Sequence, residues 1–153
     1  MPKRAEFHKI IDDYDPDIII GTETWLTPDK RSSEIFHSPN NMTVIRKDRS
    51  IEEGKGGGVL IATKPDLVVK HREDLDTDCE ITWIQLQKAN CQSLFIAAFY
   101  RPPSTNLEYL EHLQNALSRI GPQRHIWLAG DFNLPDINWS AISPFDAPDA
   151  DSP

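Results

Sequence analysis

The chain has 153 residues, 39% hydrophobic and 26% charged, a balance that suits one globular domain with its own core and excludes wholesale disorder. Its net charge of −8 argues against a stand-alone nucleic-acid binder, which carries a basic footprint, although a bound cation would reverse the local field at a site. No apolar run is long enough to span a bilayer, and residues 1–4 lead into a charged amphipathic stretch rather than a signal peptide, so an intracellular protein with no membrane partner is expected.

Residues 5–14 place Phe7, Ile10, Ile11 and Tyr14 at helical spacing, and Asp15-Pro16 ends the helix because the residue before proline is pushed out of the α region. Residues 18–21 form a continuous, largely β-branched run, which predicts a short strand covered on both faces. Residues 42–46 are a second strand, and the charged stretch 47–55 reads as a mobile turn. Three glycines, Gly56 to Gly58, open a strand that continues to Ala62, and residues 67–71 form another. An acidic loop over 72–78 follows. Residues 81–87 and 94–100 then predict a hairpin.

Arg101-Pro102-Pro103 stops that second strand. Leu107, Leu110, Leu113, Leu117 and Ile120 trace one face of a helix, with Ser104, Thr105 or Asn106 as its N-cap and Gly121-Pro122 as its stop. A last buried strand over 125–129 runs into Gly130-Asp131-Phe132-Asn133. Residues 143–153 carry three prolines, three aspartates and no basic residue, so the domain is taken as 1–140 and 141–153 as a disordered tail. Cys79 and Cys91 flank a strand and read as reduced thiols, and no CxxC suggests a zinc site. The element order predicts an α/β sandwich of mixed sheets flanked by helices.

Three polar clusters follow buried strands, where a scaffold can hold charged groups at a sheet rim. Glu23 stands two residues past the first strand and offers a hard-cation ligand; the bland alternative is a solvated acid. Tyr100 and Arg101 precede two prolines. Arg can clamp a phosphate and Tyr can donate a hydrogen bond, or the pair is simply a strand terminator. In Gly130 to Asn133, Gly130 permits a tight turn, and Asp131 and Asn133 point to one face. The carboxylate can orient water and the amide can hydrogen-bond a phosphate oxygen. An Asx-rich turn explains each residue singly, but not why three such clusters all follow strands.

Glu23 in "PDIIIGTETWL", the strand "GGGVLIATK", "FYRPP" and "GDFNLPDINW" stand in an order that resembles endonuclease/exonuclease/phosphatase (EEP) domains. They look most like the endonuclease domains of non-LTR retrotransposons, a subgroup favoured by the Leu134 to Trp139 extension. The likeness reaches almost to Trp139. It implies a partial EEP (DNase I-like) sandwich, with Glu23 as the ligand of Mg2+ or Mn2+ and Tyr100 near the scissile phosphate. By the same likeness Asp131 orients the attacking water and Asn133 stabilises the transition state, with Arg101 as a substrate ligand. The implied reaction is metal-assisted nicking of DNA, used in an intact element by a reverse transcriptase on the same polypeptide.

The family pattern also has an asparagine-bearing strand before the first helix and a Ser-Asp-His motif near its end, and this sequence contains neither. A piece truncated at both ends, weak or inactive as a nuclease and with one sheet face uncovered, is therefore expected. A non-catalytic interaction module and another EEP phosphodiesterase or phosphatase are the alternatives.

Overall fold

A computed structural model describes residues 4–36, 41–50, 52, 54–103 and 107–137. The expected tail over 141–153, the caps Ser104 to Asn106 and the extension beyond Ile137 lie outside these residues.

Helix α1 (Arg4–Tyr14) is followed by strand β1 (Ile18–Thr22). Strands β2 (Thr43–Lys47), β3 (Val59–Thr63) and β4 (Val68–His71) come next, then β5 (Ile81–Gln87) and β6 (Leu94–Tyr100). Helix α2 (Glu108–Ile120) and strand β7 (His125–Asp131) complete the order. The strands divide into a three-stranded sheet, β1-β3-β2, and a four-stranded sheet, β4-β5-β6-β7. Every pairing is antiparallel except β6 with β7, which α2 joins as a crossover. The expected mixed α/β sandwich is what forms.

Alternation along the strands builds three core layers. Between the sheets lie Val59 and Ile61 from β3 and Ile84, Ile96, Ala98 and Tyr100 from β5 and β6, with Ile18 and Ile20 against them. On the outer side of the three-stranded sheet, Leu60 and Ala62 pack with Ile11 and Phe7 of α1. On the outer side of the other sheet, Trp83, Phe95, Ala97 and Phe99 meet Leu113, Ala116 and Ile120 of α2. The result is α1, sheet, sheet, α2. Fully burying a Val, Leu, Ile or Phe side chain is worth about 1.5–3 kcal/mol, so these layers hold the rim described below in place.

The expectation of an uncovered sheet face is therefore corrected: this chain supplies both sheets and buries the face between them. What stays open is narrower. Trp127 is register partner of Ile96, so it lies on the inner-face side of β7, the edge strand, and is 60% exposed. The α1 face is also narrower than its pattern. Ile11 is buried, but Ile10 and Tyr14 are 54% and 79% exposed. Asp15 closes the helix at φ 42, its N–H bonding the Ile11 carbonyl at 2.9 Å. Cys79 is buried, Cys91 is exposed and both are free. Among the described residues no helix is long and apolar enough to cross a membrane.

Candidate active site

The site is built on the ends of β1, β6 and β7. Just past β1, the chain leaves extended geometry: Glu23 and Trp25 take φ 51 and 54, in the left-handed region. The segment is clipped to the glycine run before β3. The N–H groups of Thr24 and Trp25 donate to the carbonyls of Gly58 and Gly57 at 3.3 and 3.0 Å. Glu23 Oε2 in turn accepts the Gly57 N–H and the Trp25 indole N–H, each at 2.8 Å.

Close approach explains the glycines. Gly57 has φ 68, and a Cβ there would collide with the Arg49 guanidinium and the Glu80 carboxylate. At Gly58, φ 83, it would strike the Thr24 hydroxyl. Positive φ and missing side chains are thus both needed for Glu23 and Arg49 to reach the same stretch of backbone.

Arg49 grips Glu80 with two hydrogen bonds, Nε to Oε1 at 2.5 Å and Nη2 to Oε2 at 3.3 Å. Its guanidinium carbon lies 5.6 Å from the centre of the Tyr100 ring. The Glu80 carbonyl accepts the Tyr100 N–H at 2.9 Å. The Tyr100 hydroxyl sits between the Glu23 carboxylate and the Arg49 charge. Burial, then the neighbouring Glu23 carboxylate, pushes the Tyr100 phenol up to about 12, so it stays protonated at neutral pH. For Glu23, partial burial pushes the carboxyl up. The Tyr100 hydroxyl, the Gly57 and Trp25 N–H groups and the Arg49 charge outweigh that and hold it below its usual value.

Across the parallel pair, Tyr100 is register partner of Asp131, so the two side chains share the face that looks toward Glu23. Gly130 has φ 146, and a Cβ there would land on the Phe99 carbonyl. Phe132 turns the other way and packs its ring 5.2 Å from that of Phe99. That leaves Asp131 exposed at the rim. The Asn133 N–H donates to Asp131 Oδ1 at 3.1 Å, in a tight turn at φ 45. Its side-chain Nδ2 donates to the Arg101 carbonyl at 2.7 Å, and Arg101 Nη1 donates to the Asn133 carbonyl at 2.8 Å.

Glu23, Tyr100, Asp131 and Asn133 therefore gather at one rim. Arg101, expected as a substrate ligand, is 3% exposed and braces the Asp131–Asn133 turn instead of opening to solvent. The sequence reading missed Arg49 and Glu80. It placed Arg49 in a mobile turn, whereas the side chain is largely buried against Glu80. The three consecutive glycines were the available signal, since such a run marks a place where something bulky approaches the backbone.

Among the described residues no group of three or more His, Cys, Asp or Glu side chains could hold a metal ion. A hydrated hard cation asks for less, often one or two carboxylates. Glu23 meets that need: it is exposed at the cleft, favoured as the anion, and oriented by two N–H donors.

A family model described as the Endonuclease/Exonuclease/phosphatase family matches residues 1–149. Among solved structures, the endonuclease domain of TRAS1, a telomere-specific non-LTR retrotransposon, aligns with a TM-score of 0.64 at 18% identity. The alignment covers 84% of this chain and 54% of that one, so the present chain spans about half the neighbour's length. At this identity the likeness speaks for the fold. No curated protein matches the sequence.

Proposed function

The chain belongs to the endonuclease/exonuclease/phosphatase family, and on that premise we propose that its rim is part of a site for hydrolysing DNA phosphodiester bonds. The observation that carries this is the convergence of Glu23, Tyr100 and Asp131 from the ends of three strands.

Glu23 would hold Mg2+ or Mn2+, which supplies Lewis-acid stabilisation of charge on the phosphoryl oxygens. The protonated Tyr100 gives its one O–H proton to Glu23, and so would hold that carboxylate in place beside the phosphate. Asp131, exposed and fixed by the Asn133 N–H, can accept a proton from an attacking water or orient it. An amide carries two N–H groups; one of Asn133 is committed to Arg101, and the other can face a phosphate. Arg101 acts as a positioning residue, since it holds the carbonyl of Asn133. The likeness to a retrotransposon endonuclease favours DNA as the substrate, an intracellular setting, and a reverse transcriptase on the same polypeptide as the user of the nick.

The described histidines are engaged elsewhere. His8 pairs with the Ile35 carbonyl, His71 with Asp76 and His112 with Glu108, while His125 starts β7 at the opposite end from Asp131. Among the described residues no histidine stands at the rim, and a site working without one is expected to be slower by roughly 10²–10⁴-fold than a complete acid–base pair. A plasmid-nicking assay tests the proposal. Slow Mg2+-dependent nicking, lost in both Glu23→Ala and Asp131→Ala, is the expected result. Nicking that survives both substitutions would refute it.

A further inference from the structure

We propose that the exposed indole of Trp25 is a stacking platform for one nucleobase of a DNA strand whose phosphate lies at the Glu23–Asp131 rim. This subsite rests on the DNA-hydrolase function proposed above.

Trp25 is 57% exposed, although a large aromatic side chain gains most by turning inward. It keeps that exposure in a left-handed backbone conformation that bulky L residues rarely adopt, φ 54. Strain of this kind persists where the surroundings over-determine it, and it clusters at ligand clamps. Here the clamp is explicit: the backbone N–H is tied to the Gly57 carbonyl at 3.0 Å and the indole N–H to Glu23 Oε2 at 2.8 Å.

The ring lines a cavity of about 380 Å3, whose other walls include Leu26, Arg49, Lys55, Gly54 and Gly56. That volume lies at the lower end of small-ligand sites, suited to a base with its sugar. Gly56 leaves that side of the ring bare, since a Cβ there would sit in van der Waals contact with it, 3.5 Å from the indole Cε2. Lys55 brings positive charge to this wall of a chain with net charge −8, whereas Arg49 is paired with Glu80, so the cavity offers an aromatic face with one cation beside it. Every nucleobase has a π-face, and base–aromatic stacking beside a cationic track is how sequence-tolerant strand binding works. The hydrogen bond to Glu23 fixes where the base would sit, one residue's reach from the carboxylate at the cleft.

The test uses the full chain and two probes of equal length: a short single-stranded DNA oligonucleotide, and the same backbone made of abasic residues. Trp25→Leu should weaken binding of the base-bearing probe by about tenfold, in line with one stacked base, and leave the abasic probe unchanged. Trp25→Phe should retain most of the affinity, and Trp127→Leu, at the other exposed tryptophan, should change neither. Lys55→Ala should weaken both probes alike and flatten the salt dependence. Wild-type affinity of Trp25→Leu for the base-bearing probe, or an equal loss on both probes, would overturn the subsite while leaving the DNA-hydrolase function standing. Failure of the wild-type chain to bind either probe would overturn both.

Discussion

Replacing Gly57 with alanine should destabilise the protein far more than the same change three residues earlier. Gly57 has φ 68, and an L residue held in the left-handed region costs about 1–2 kcal/mol. The new methyl group would also occupy the space of the Arg49 guanidinium and the Glu80 carboxylate. A guanidinium can swing away, but only by releasing Glu80, whose side chain is 4% exposed. Breaking a buried pair in this way costs about 3–5 kcal/mol when it is complete. With partial relaxation, a total of about 3–5 kcal/mol is expected. Gly54→Ala supplies the comparison, because Gly54 also has positive φ, 96, but nothing lies within 4 Å of an added Cβ. It should show the backbone cost alone, about 1–2 kcal/mol. Urea unfolding of the two variants, compared at equal m-values, reads the difference directly. Equal destabilisation, within about 0.5 kcal/mol, would show that the Arg49–Glu80 pair does not depend on the missing side chain and would refute the reasoning.

The Tyr100 phenol should make stability fall at alkaline pH. Its folded value of about 12 exceeds the ordinary 10.0, so its contribution is complete below pH 10.0 and lost as pH rises toward 12. That amounts to about 2–3 kcal/mol, absent in Tyr100→Phe, and a pH series of unfolding curves on both proteins measures it. Glu23 behaves oppositely, its lowered value giving a contribution that is present above pH 4.5 and lost on acidification; Glu23→Gln should remove that dependence. Gly130→Ala should undock β7, because the added carbon meets backbone rather than a movable side chain. Hydrogen exchange at the β7 amides should accelerate while β3 and β5 stay protected, and unchanged β7 protection would count against the close-approach account.

The strands were legible because their apolar runs are long and bounded by glycine, proline and charged turns. The three rim motifs were legible because each follows such a run. Gly130 could be read as a turn glycine, but the reason for it, the Phe99 carbonyl on the neighbouring strand, is a contact between segments 31 residues apart. Arg49 was illegible for the same kind of reason. In sequence it stands among Lys47, Asp48, Glu52 and Lys55, which look like solvated charge, and its partner Glu80 lies beyond two strands. Periodicity overstated the α1 face, because a helix on a three-stranded sheet has room to bury Phe7 and Ile11 but leaves Ile10 and Tyr14 in water. For Arg101, standing next to Tyr100 in sequence says nothing about where the side chain goes once the strand has ended, and it turns inward to the Asn133 carbonyl.

The clips that hold the rim share one property. Glu23 to Gly57 joins residues 34 apart, Arg49 to Glu80 joins residues 31 apart, and Arg101 to Asn133 joins residues 32 apart. Each closes a long loop before it returns any stabilisation, whereas the β5–β6 hairpin closes a short one. During folding the hairpin can form early, and the rim can form only after both sheets have met. Chemistry and kinetics thus converge on the same few atoms: a molecule whose Glu23 is correctly seated is one that has finished folding.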